Sequence, residues 1–170
     1  MHLELKDREF PFSYTDHDRE IVRGIVFDEE KNFYFVRIHR DDSFGKATLI
    51  ETSGGGVEKG EDLETAMQRE LKEELGAEVE ILREIGIVSD YYNFIHRHNI
   101  NHYFLCKALF FGEKNLMPYE IRDFRMESLK LSYEEAIKEY KKCSDTKLGR
   151  LIARREVPVL EEVKKMLLIN

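Results

Sequence analysis

Hydrophobic and polar residues follow two different periods along this chain, one typical of strands and one typical of helices. Alternation with a period of two, or a short apolar run rich in β-branched and aromatic residues, predicts a strand. Six stretches fit this description: residues 20–28, 32–40, 45–53, 77–92, 101–112 and 123–131. The first two flank the polar sequence EEKN, which predicts that they form a hairpin.

Apolar residues recur at helical spacing between Asp62 and Leu75, which predicts a helix there. Asp62 is a suitable N-cap, and Gly76 is well placed to end the helix. A second helix is predicted to begin after Ser132, because a glutamate three residues later completes a capping box. Two further helical stretches follow, and Pro158 is expected to separate them.

The order of these elements predicts an α/β fold in which helices cover a mixed sheet. The chain has 170 residues without repeats or Pro/Gly-rich linkers, so we expect one domain over residues 1–170, with helices from about residue 132 packed on it. The N-terminal segment mixes acids and bases, unlike a signal peptide, and no apolar run is long enough to span a bilayer. We therefore expect a cytoplasmic protein without a membrane partner.

Charge and cysteine content narrow the possible partners. The chain contains 27 Lys and Arg against 34 Asp and Glu, a formal net charge of -7, which argues against a nucleic-acid polymer as the main partner. A small phosphorylated ligand remains compatible, because one metal ion or one basic pocket can offset the local charge. Cys106 and Cys143 lie far apart in the sequence and are interpreted as reduced, structural thiols.

The glycine cluster GGGVEKG at residues 54–60 resembles no complete phosphate-binding loop. Its spacing approaches that of a P-loop, but two acidic residues follow where a P-loop has Lys and Ser or Thr, and these would repel phosphate. A dinucleotide-binding fingerprint would need a third glycine at the position that Lys59 occupies. Both interpretations are rejected.

Three glutamates, Glu70, Glu73 and Glu74, lie on one face of the predicted helix, near its C-terminal end. Like charges at these spacings repel by roughly a few tenths of a kcal/mol, and the helix dipole also disfavours anions there. Arg69 can reach Glu73 only in the weaker order, with the cation first. Such an arrangement indicates a missing partner, and Mg²⁺ or Mn²⁺ accepts several carboxylate ligands. The carbonyl of Gly54, in the flexible glycine cluster, could add another ligand.

Residues 55–77 resemble the Nudix box, G-x5-E-x7-R-E-U-x-E-E-x-G-U, in which U is a bulky aliphatic residue. The matching fixed positions are Gly55, Glu61, Arg69, Glu70, Leu71, Glu73, Glu74 and Gly76. The last position departs from the motif, because Ala77 replaces a larger aliphatic residue, and we expect this to affect packing rather than chemistry. The motif spans only a small part of the chain, but its many fixed positions make it highly specific.

This resemblance implies a Nudix-like α/β/α sandwich with the box on a loop and helix. It also implies a metal-dependent hydrolase that cleaves the phosphoanhydride of a nucleoside diphosphate linked to another moiety. The implied metal ligands are Glu70 and Glu74, with Glu73 as a further ligand or bridge and Gly54 through its carbonyl. Arg69 would orient a glutamate through a salt bridge, and Glu61, with Gly55, would hold the loop or a metal-bound water.

Several features of the expected site stay open. The substrate could be ADP-ribose or a nucleotide sugar, a nucleoside triphosphate or a dinucleoside polyphosphate. The general base is either a box glutamate or a later acid such as Glu113 or Glu120. Arg97 is a candidate contact to phosphate or base. Tyr92 is a candidate for base stacking, although an aromatic residue at a strand end is more often part of the core.

Other polar segments receive plainer interpretations. The sequence HRHNINH at residues 96–102 offers three histidines to a zinc ion, but the spacing fits no tight motif and a solvated hairpin tip is preferred. The basic residues of a late helix, Arg154 and Arg155 among them, are interpreted as a solvated face. Two rival functions are a non-catalytic nucleotide-sensing module and a fold in which the box only adds stability. The resemblance also allows a homodimer.

Overall fold

A computed structural model describes residues 1–168, and the last two residues of the expected domain lie outside this range. Within the described range there are eight strands and four α-helices. The strands are β1 (His2–Leu5), β2 (His17–Phe27), β3 (Phe33–Asp42), β4 (Gly45–Glu51), β5 (Ser53–Gly56), β6 (Ala77–Tyr92), β7 (Arg97–Phe111) and β8 (Glu127–Leu131). The helices are α1 (Leu63–Leu75), α2 (Pro118–Arg122), α3 (Tyr133–Cys143) and α4 (Lys147–Met166).

The strands form one mixed sheet in the order β1-β6-β7-β2-β3-β4, with β5 paired to β2 and β8 paired to β3. The β1–β6 and β7–β2 pairs are parallel, and the other pairs are antiparallel. The predicted hairpin of β2 and β3 pairs only next to its turn, where Val26 faces Tyr34 and Phe27 faces Phe33. Beyond these pairs the two strands separate, and β5 instead pairs with residues 21–24 of β2. This separation opens the cleft described below.

Helices cover both faces of the sheet, and the alternation of side chains assigns each strand residue to one face. In β2, Val22 and Val26 pack with α1, whereas Ile25 and Phe27 pack in the larger core beneath α3 and α4. The apolar residues that α1 contributes are Ala66, Met67, Leu71 and Leu75. The resulting α/β/α arrangement confirms the predicted fold class.

The ends of α1 lie where the sequence predicts them. The Asp62 carboxylate accepts a hydrogen bond from the backbone N–H of Thr65 at 3.0 Å. Gly76 adopts a left-handed conformation with φ of 67°, and its N–H bonds to the carbonyls of Leu71 and Lys72. Glycine adopts this conformation more readily than other residues, and α1 therefore ends at Leu75, one residue after Glu74. The predicted capping box at Ser132 is also present at the start of α3.

Two predictions of secondary-structure boundaries are wrong. Pro158 does not separate two helices, because α4 runs without interruption through it. A proline inside a helix costs about 3 kcal/mol, and the buried apolar side chains around it, such as Leu151, Val159 and Val163, outweigh that cost. The predicted strand at residues 45–53 is divided into β4 and β5 at Thr52, where the chain leaves β3 and joins β2.

Two further expectations concern thiols and membranes. Cys106 and Cys143 are both free and buried. Burial raises the pKa of the Cys106 thiol to about 12, which keeps it protonated and matches the interpretation as a structural residue. In the part of the chain that the structure describes, no helix combines the length and apolarity needed to cross a lipid bilayer.

Candidate active site

The separation of β2 and β3 leaves a cleft whose walls come from both halves of the chain. Gly54 and Gly55 line it beside the neighbouring carboxylates of Glu74 and Glu120, which we call the acidic centre. The β7 side contributes arginine and polar residues: Arg97, Asn99 and Tyr92, together with Arg19 of β2. The β3 side contributes more apolar surface, from Val36, Ile38, Phe124 and Met126, together with Arg40 of β3. The cleft therefore has an acidic centre, a basic side and an apolar side.

Glu74 is buried at the C-terminal end of α1, with a relative exposure of 7%. Its Oε2 accepts hydrogen bonds from the Oγ of Ser53 at 2.6 Å and the backbone N–H of Gly54 at 3.0 Å. Burial raises the pKa of Glu74 to about 8, and the neighbouring carboxylates of Glu70 and Glu120 push it in the same direction. The ionised form of Glu74 thus lacks charge compensation.

Arg69 connects the glycine loop to the helix. Its Nε and Nη2 donate to the two carboxylate oxygens of Glu61, each at 2.9 Å, and its Nη1 donates to Glu70 at 2.7 Å. Nη2 also donates to the carbonyl of Gly56 at 3.1 Å. Glu61 in turn accepts the backbone N–H of Glu58 at 3.0 Å. Because the arginine fork pairs both oxygens of Glu61, the loop and the helix are held in one geometry.

Gly55 allows the Glu70 carboxylate to approach the backbone of β5. A Cβ atom at this position would lie 2.5 Å from a carboxylate oxygen of Glu70, so a larger residue would displace that group. Burial raises the pKa of Glu70, and the adjacent Arg69 only partly opposes this effect. Gly54 has a φ of 154°, and a side chain there would collide with the backbone of β2. Both glycines are therefore required by close approach.

The carboxylates do not yet form a closed metal site. Within residues 1–168, no three His, Cys, Asp or Glu side chains stand in an arrangement ready to hold a metal ion. The contacts explain this, because Glu74 accepts from neutral donors, while Glu70 and Glu73 lie 2.7 and 3.5 Å from Nη1 of Arg69. The donor set still fits a hard cation, since it offers oxygen ligands and carboxylates whose burial favours an added positive charge.

The two acids that the sequence left open as general bases differ in position. Glu120 of α2 lines the cleft and is 7% exposed. It accepts the backbone N–H of Met117 at 2.7 Å and the hydroxyl of Tyr119 at 3.3 Å. Glu113 is exposed in the loop that follows β7. The structure therefore brings Glu120, rather than Glu113, to the acidic centre.

Helix α4 supplies a second charged cluster that sequence reasoning missed. Arg155 was assigned to a solvated face, but its exposure is 1%. It donates to Glu156 at 3.0 Å, to Asp90 at 3.2 Å and to the hydroxyl of Tyr92 at 3.0 Å. A signal was present, because Arg155 lies four residues from Leu151 and from Val159, on the apolar stripe of the helix.

Glu156 extends this cluster to the strands. Its Oε1 accepts the hydroxyl of Tyr103 at 2.9 Å, and its Oε2 accepts the hydroxyl of Thr52 at 2.8 Å. Thr52 directly precedes Ser53 and Gly54, the two residues that donate to Glu74. The last helix is therefore connected through one threonine to the segment that binds the Glu74 carboxylate.

Arg97 and Tyr92 both reach the cleft. The Arg97 guanidinium lies 5.8 Å from the centre of the Tyr92 ring, and its Nε is buried without an acceptor in the described chain. Tyr92 has an exposure of 7%, and burial raises its pKa to about 12. Base stacking on Tyr92 stays a prediction. The predicted solvated hairpin tip at residues 96–102 is wrong, because residues 97–102 belong to β7 and His102 is buried. The other two histidines have separate partners, since His98 contacts Asp18 at 2.9 Å and His96 stacks on another aromatic ring.

Comparisons with known proteins agree with this architecture. A family model described as a NUDIX domain matches residues 17–145, most of the chain. The structure is similar to a NUDIX hydrolase from Nitrosomonas europaea, with a TM-score of 0.67, 15% identity and coverage of 88% of this chain and 90% of that chain. The ORF135 protein of E. coli gives a TM-score of 0.61, 20% identity and coverage of 88% and 90%.

A third similar structure is a MutT NUDIX hydrolase from Burkholderia pseudomallei. It gives a TM-score of 0.57 and 16% identity, and the match covers 71% of this chain and 87% of that chain. At these identities the structural similarities establish the fold. No curated protein sequence matches the chain.

Proposed function

This chain belongs to the NUDIX domain family and is a Nudix-type hydrolase, and on that premise we propose that it is a metal-dependent pyrophosphohydrolase. Its substrate would be small and derived from a nucleotide, with a nucleoside diphosphate linked to another moiety. The proposal depends above all on the acidic centre of the cleft. There the buried carboxylate of Glu74, with a pKa raised to about 8, lies near the carboxylates of Glu70 and Glu120.

Glu70 and Glu74 would hold Mg²⁺, or Mn²⁺ in its place, with Glu73 as a further ligand and Gly54 contributing its carbonyl. When bound, such a cation would offset the charge of the pyrophosphate and lower the pKa of water at the site. Glu74 would lose its proton on binding, because a nearby cation favours the carboxylate. Arg69 would stay in place when Glu70 holds the cation, since Arg69 is also bound to both oxygens of Glu61.

The remaining residues of the chain would position the anhydride and take up the proton. Gly55 keeps the Glu70 carboxylate close to the backbone of β5, beside Gly54, where the proposed ligands of the cation would meet the anhydride. Water would form a bond to one phosphorus while the bridging P–O bond breaks, which gives two phosphorylated products and one proton. Glu120 faces the same centre and is our candidate for the group that accepts this proton.

The rival function is a non-catalytic nucleotide-sensing module that uses the same fold. Such modules usually lose carboxylates of the box, and this chain retains Glu70, Glu73 and Glu74. The two functions differ in one measurable property, because a sensor binds its nucleotide tightly without releasing products.

A hydrolysis screen over a nucleotide panel, with Mg²⁺ and with Mn²⁺ and with products identified by mass, tests the proposal. Glu74→Gln should lower the rate at least about 100-fold, because the metal supplies several kcal/mol of charge stabilisation. The matched control is Glu64→Gln, an exposed residue in the first turn of the same helix, which should retain the parent rate. Equal rates for Glu74→Gln and the parent would exclude this mechanism, and binding without turnover would favour the sensor.

A further inference from the structure

The cleft contains two arginines without a carboxylate partner in the described chain, the exposed Arg19 and the partly buried Arg97. Within residues 1–168, Arg19 and Arg97 form no ion pair, whereas Arg23, Arg40 and Arg155 each pair with a carboxylate. The Nε of Arg97 is enclosed by protein and has no acceptor there. Donors of a guanidinium group that are buried without an acceptor are unfavourable, so this side of the cleft lacks an anionic partner.

Asp90 is the carboxylate that acts most strongly on Arg97, and it already has other partners. Asp90 accepts hydrogen bonds from two asparagine side chains and from Arg155. Burial lowers the pKa of Arg97, and the positive charge of Arg19 lowers it further. Since an arginine still remains charged at neutral pH, both guanidinium groups are available to an anion from outside the chain.

The two arginines are close to the acidic centre. They lie on the neighbouring parallel strands β2 and β7, and the Arg19 guanidinium packs on Gly56, where an added Cβ would lie 3.1 Å from it. Gly55, one residue earlier, packs against the Glu70 carboxylate. Because a strand rises about 3.3 Å per residue, the basic side begins within one or two residues of the proposed metal ligands. An anionic group next to an anhydride bound at those ligands would therefore reach Arg19 and Arg97.

The opposite side of the cleft has a different character. Ile38 of β3, Phe124 and Met126 line it together with Arg40, whose guanidinium lies 5.2 Å from the centre of the Phe124 ring and pairs with Asp42. The carbonyl of Phe124 accepts the backbone N–H of His39 at 2.7 Å. This wall is therefore anchored to β3, away from β7. Apolar and aromatic side chains suit the flat face of a base better than a phosphate. The cleft thus distinguishes the two ends of a nucleotide.

We propose that Arg19 and Arg97 form a phosphate subsite beyond the scissile anhydride, and that this protein prefers nucleoside triphosphates to nucleoside diphosphates joined to a neutral sugar. The position of the scissile anhydride relative to this subsite rests on the proposed function. Binding of phosphate by the two arginines does not require that the protein hydrolyses its ligand. The guanidinium forks would hold the terminal phosphate, since arginine binds phosphate through paired, charge-assisted hydrogen bonds.

Steady-state kinetics on matched substrates test the preference. For each base, a nucleoside triphosphate is compared with the corresponding nucleoside diphosphate linked to a neutral sugar, both with Mg²⁺. The parent should have the larger kcat/KM for the triphosphate. In Arg97→Gln and in Arg19→Gln the ratio of the two kcat/KM values should fall about 10- to 100-fold, mainly through the KM of the triphosphate. Arg83→Gln, an exposed arginine of β6, is the matched control and should keep the parent ratio.

A binding measurement separates this subsite from the proposed reaction. Titration calorimetry with inorganic tripolyphosphate, without divalent metal, should show at least about tenfold weaker binding to Arg97→Gln than to the parent or to Arg83→Gln. Equal affinities for all three proteins would overturn the subsite, as would a substrate ratio that these variants leave unchanged. Weaker binding to Arg97→Gln without hydrolysis of any nucleotide would support the subsite and overturn the proposed reaction.

Discussion

Two clusters of charged residues border the same cleft, and they differ in whether their buried charges are paired. The box cluster consists of Glu70, Glu74 and Glu120. The α4 cluster consists of Arg23, Glu51, Asp90, Arg155 and Glu156. In the α4 cluster two arginines meet three carboxylates, and each carboxylate contacts at least one arginine. In the box cluster Glu74 receives only hydroxyl and backbone donors in the described chain, and its pKa rises to about 8.

Burial of a charge is unfavourable unless the charge is paired. The charges of the α4 cluster are paired, whereas Glu74 in the box cluster has no cationic partner within residues 1–168. The α4 cluster is complete without a ligand and holds Thr52, the residue before the donors to Glu74. The box cluster is left with an excess of negative charge that an added cation would balance. Position within one cleft therefore does not decide function, and the degree of charge compensation separates the supporting cluster from the binding one.

Removal of one partner from the α4 cluster is expected to have the largest effect on stability. Arg155→Met should lower the free energy of unfolding by about 3 to 5 kcal/mol, because it leaves buried carboxylates without their cation. Urea unfolding measures this loss. Arg154→Met, at the next position of the same helix, should change stability by less than about 1 kcal/mol. A loss below that level in Arg155→Met would mean that the α4 cluster is not held by charge pairing.

Addition of metal should complete the box cluster. At a concentration about 100 times its Kd, Mg²⁺ or Mn²⁺ should stabilise the folded protein by about 2.7 kcal/mol, which raises the Tm by about 5 to 10 °C. A chelator should reverse the shift, and Glu74→Gln should show little of it. A melting temperature that responds to neither metal nor chelator would support the interpretation in which the box only contributes to stability.

The smallest effect is expected for Glu74→Gln without metal, and its sign is opposite to that of Arg155→Met. The raised pKa of Glu74 means that the fold favours the neutral form, so stability from this group falls as the pH rises from the ordinary value towards about 8. A neutral glutamine should therefore raise the free energy of unfolding by about 1 kcal/mol, and by more at pH 9 than at pH 6. Chemical denaturation with chelator present measures this, and a destabilised variant would contradict the comparison.

Local features of the site could be predicted from the sequence because they depend on residues close together in the chain. The caps of α1 follow from Asp62 and Gly76, which act within one turn of the helix. The resemblance implied a salt bridge from Arg69 to a glutamate, and the structure identifies Glu61 as one partner, eight residues away in the loop that precedes the helix. The spacing of the box glutamates needed only the helical period.

Other parts of the site depend on segments that are distant in sequence. Glu120 reaches the acidic centre because the segments on either side of α2 are bound elsewhere, Asn115 to the carbonyl of Glu73 and Phe124 to the N–H of His39, and nothing near Glu120 in the sequence encodes those contacts. Helix α4 lies beyond the residues that the family model matches, yet it contributes Arg155 to the cleft. Pro158 was misread for the same reason, because its local penalty is outweighed by burial that only the folded chain provides.

The sequence by itself determined the two periods of the fold, the ends of α1 and the identity of the acids on its last turns. These follow from backbone geometry and from side chains within a few residues of one another. Only the tertiary structure decided which charges are compensated, because compensation depends on the distance between groups from β2, β6, α2 and α4 after the sheet has formed. Arg155 finds four acceptors in that packing, whereas Glu74 is buried beside further carboxylates and is left to a partner from solution.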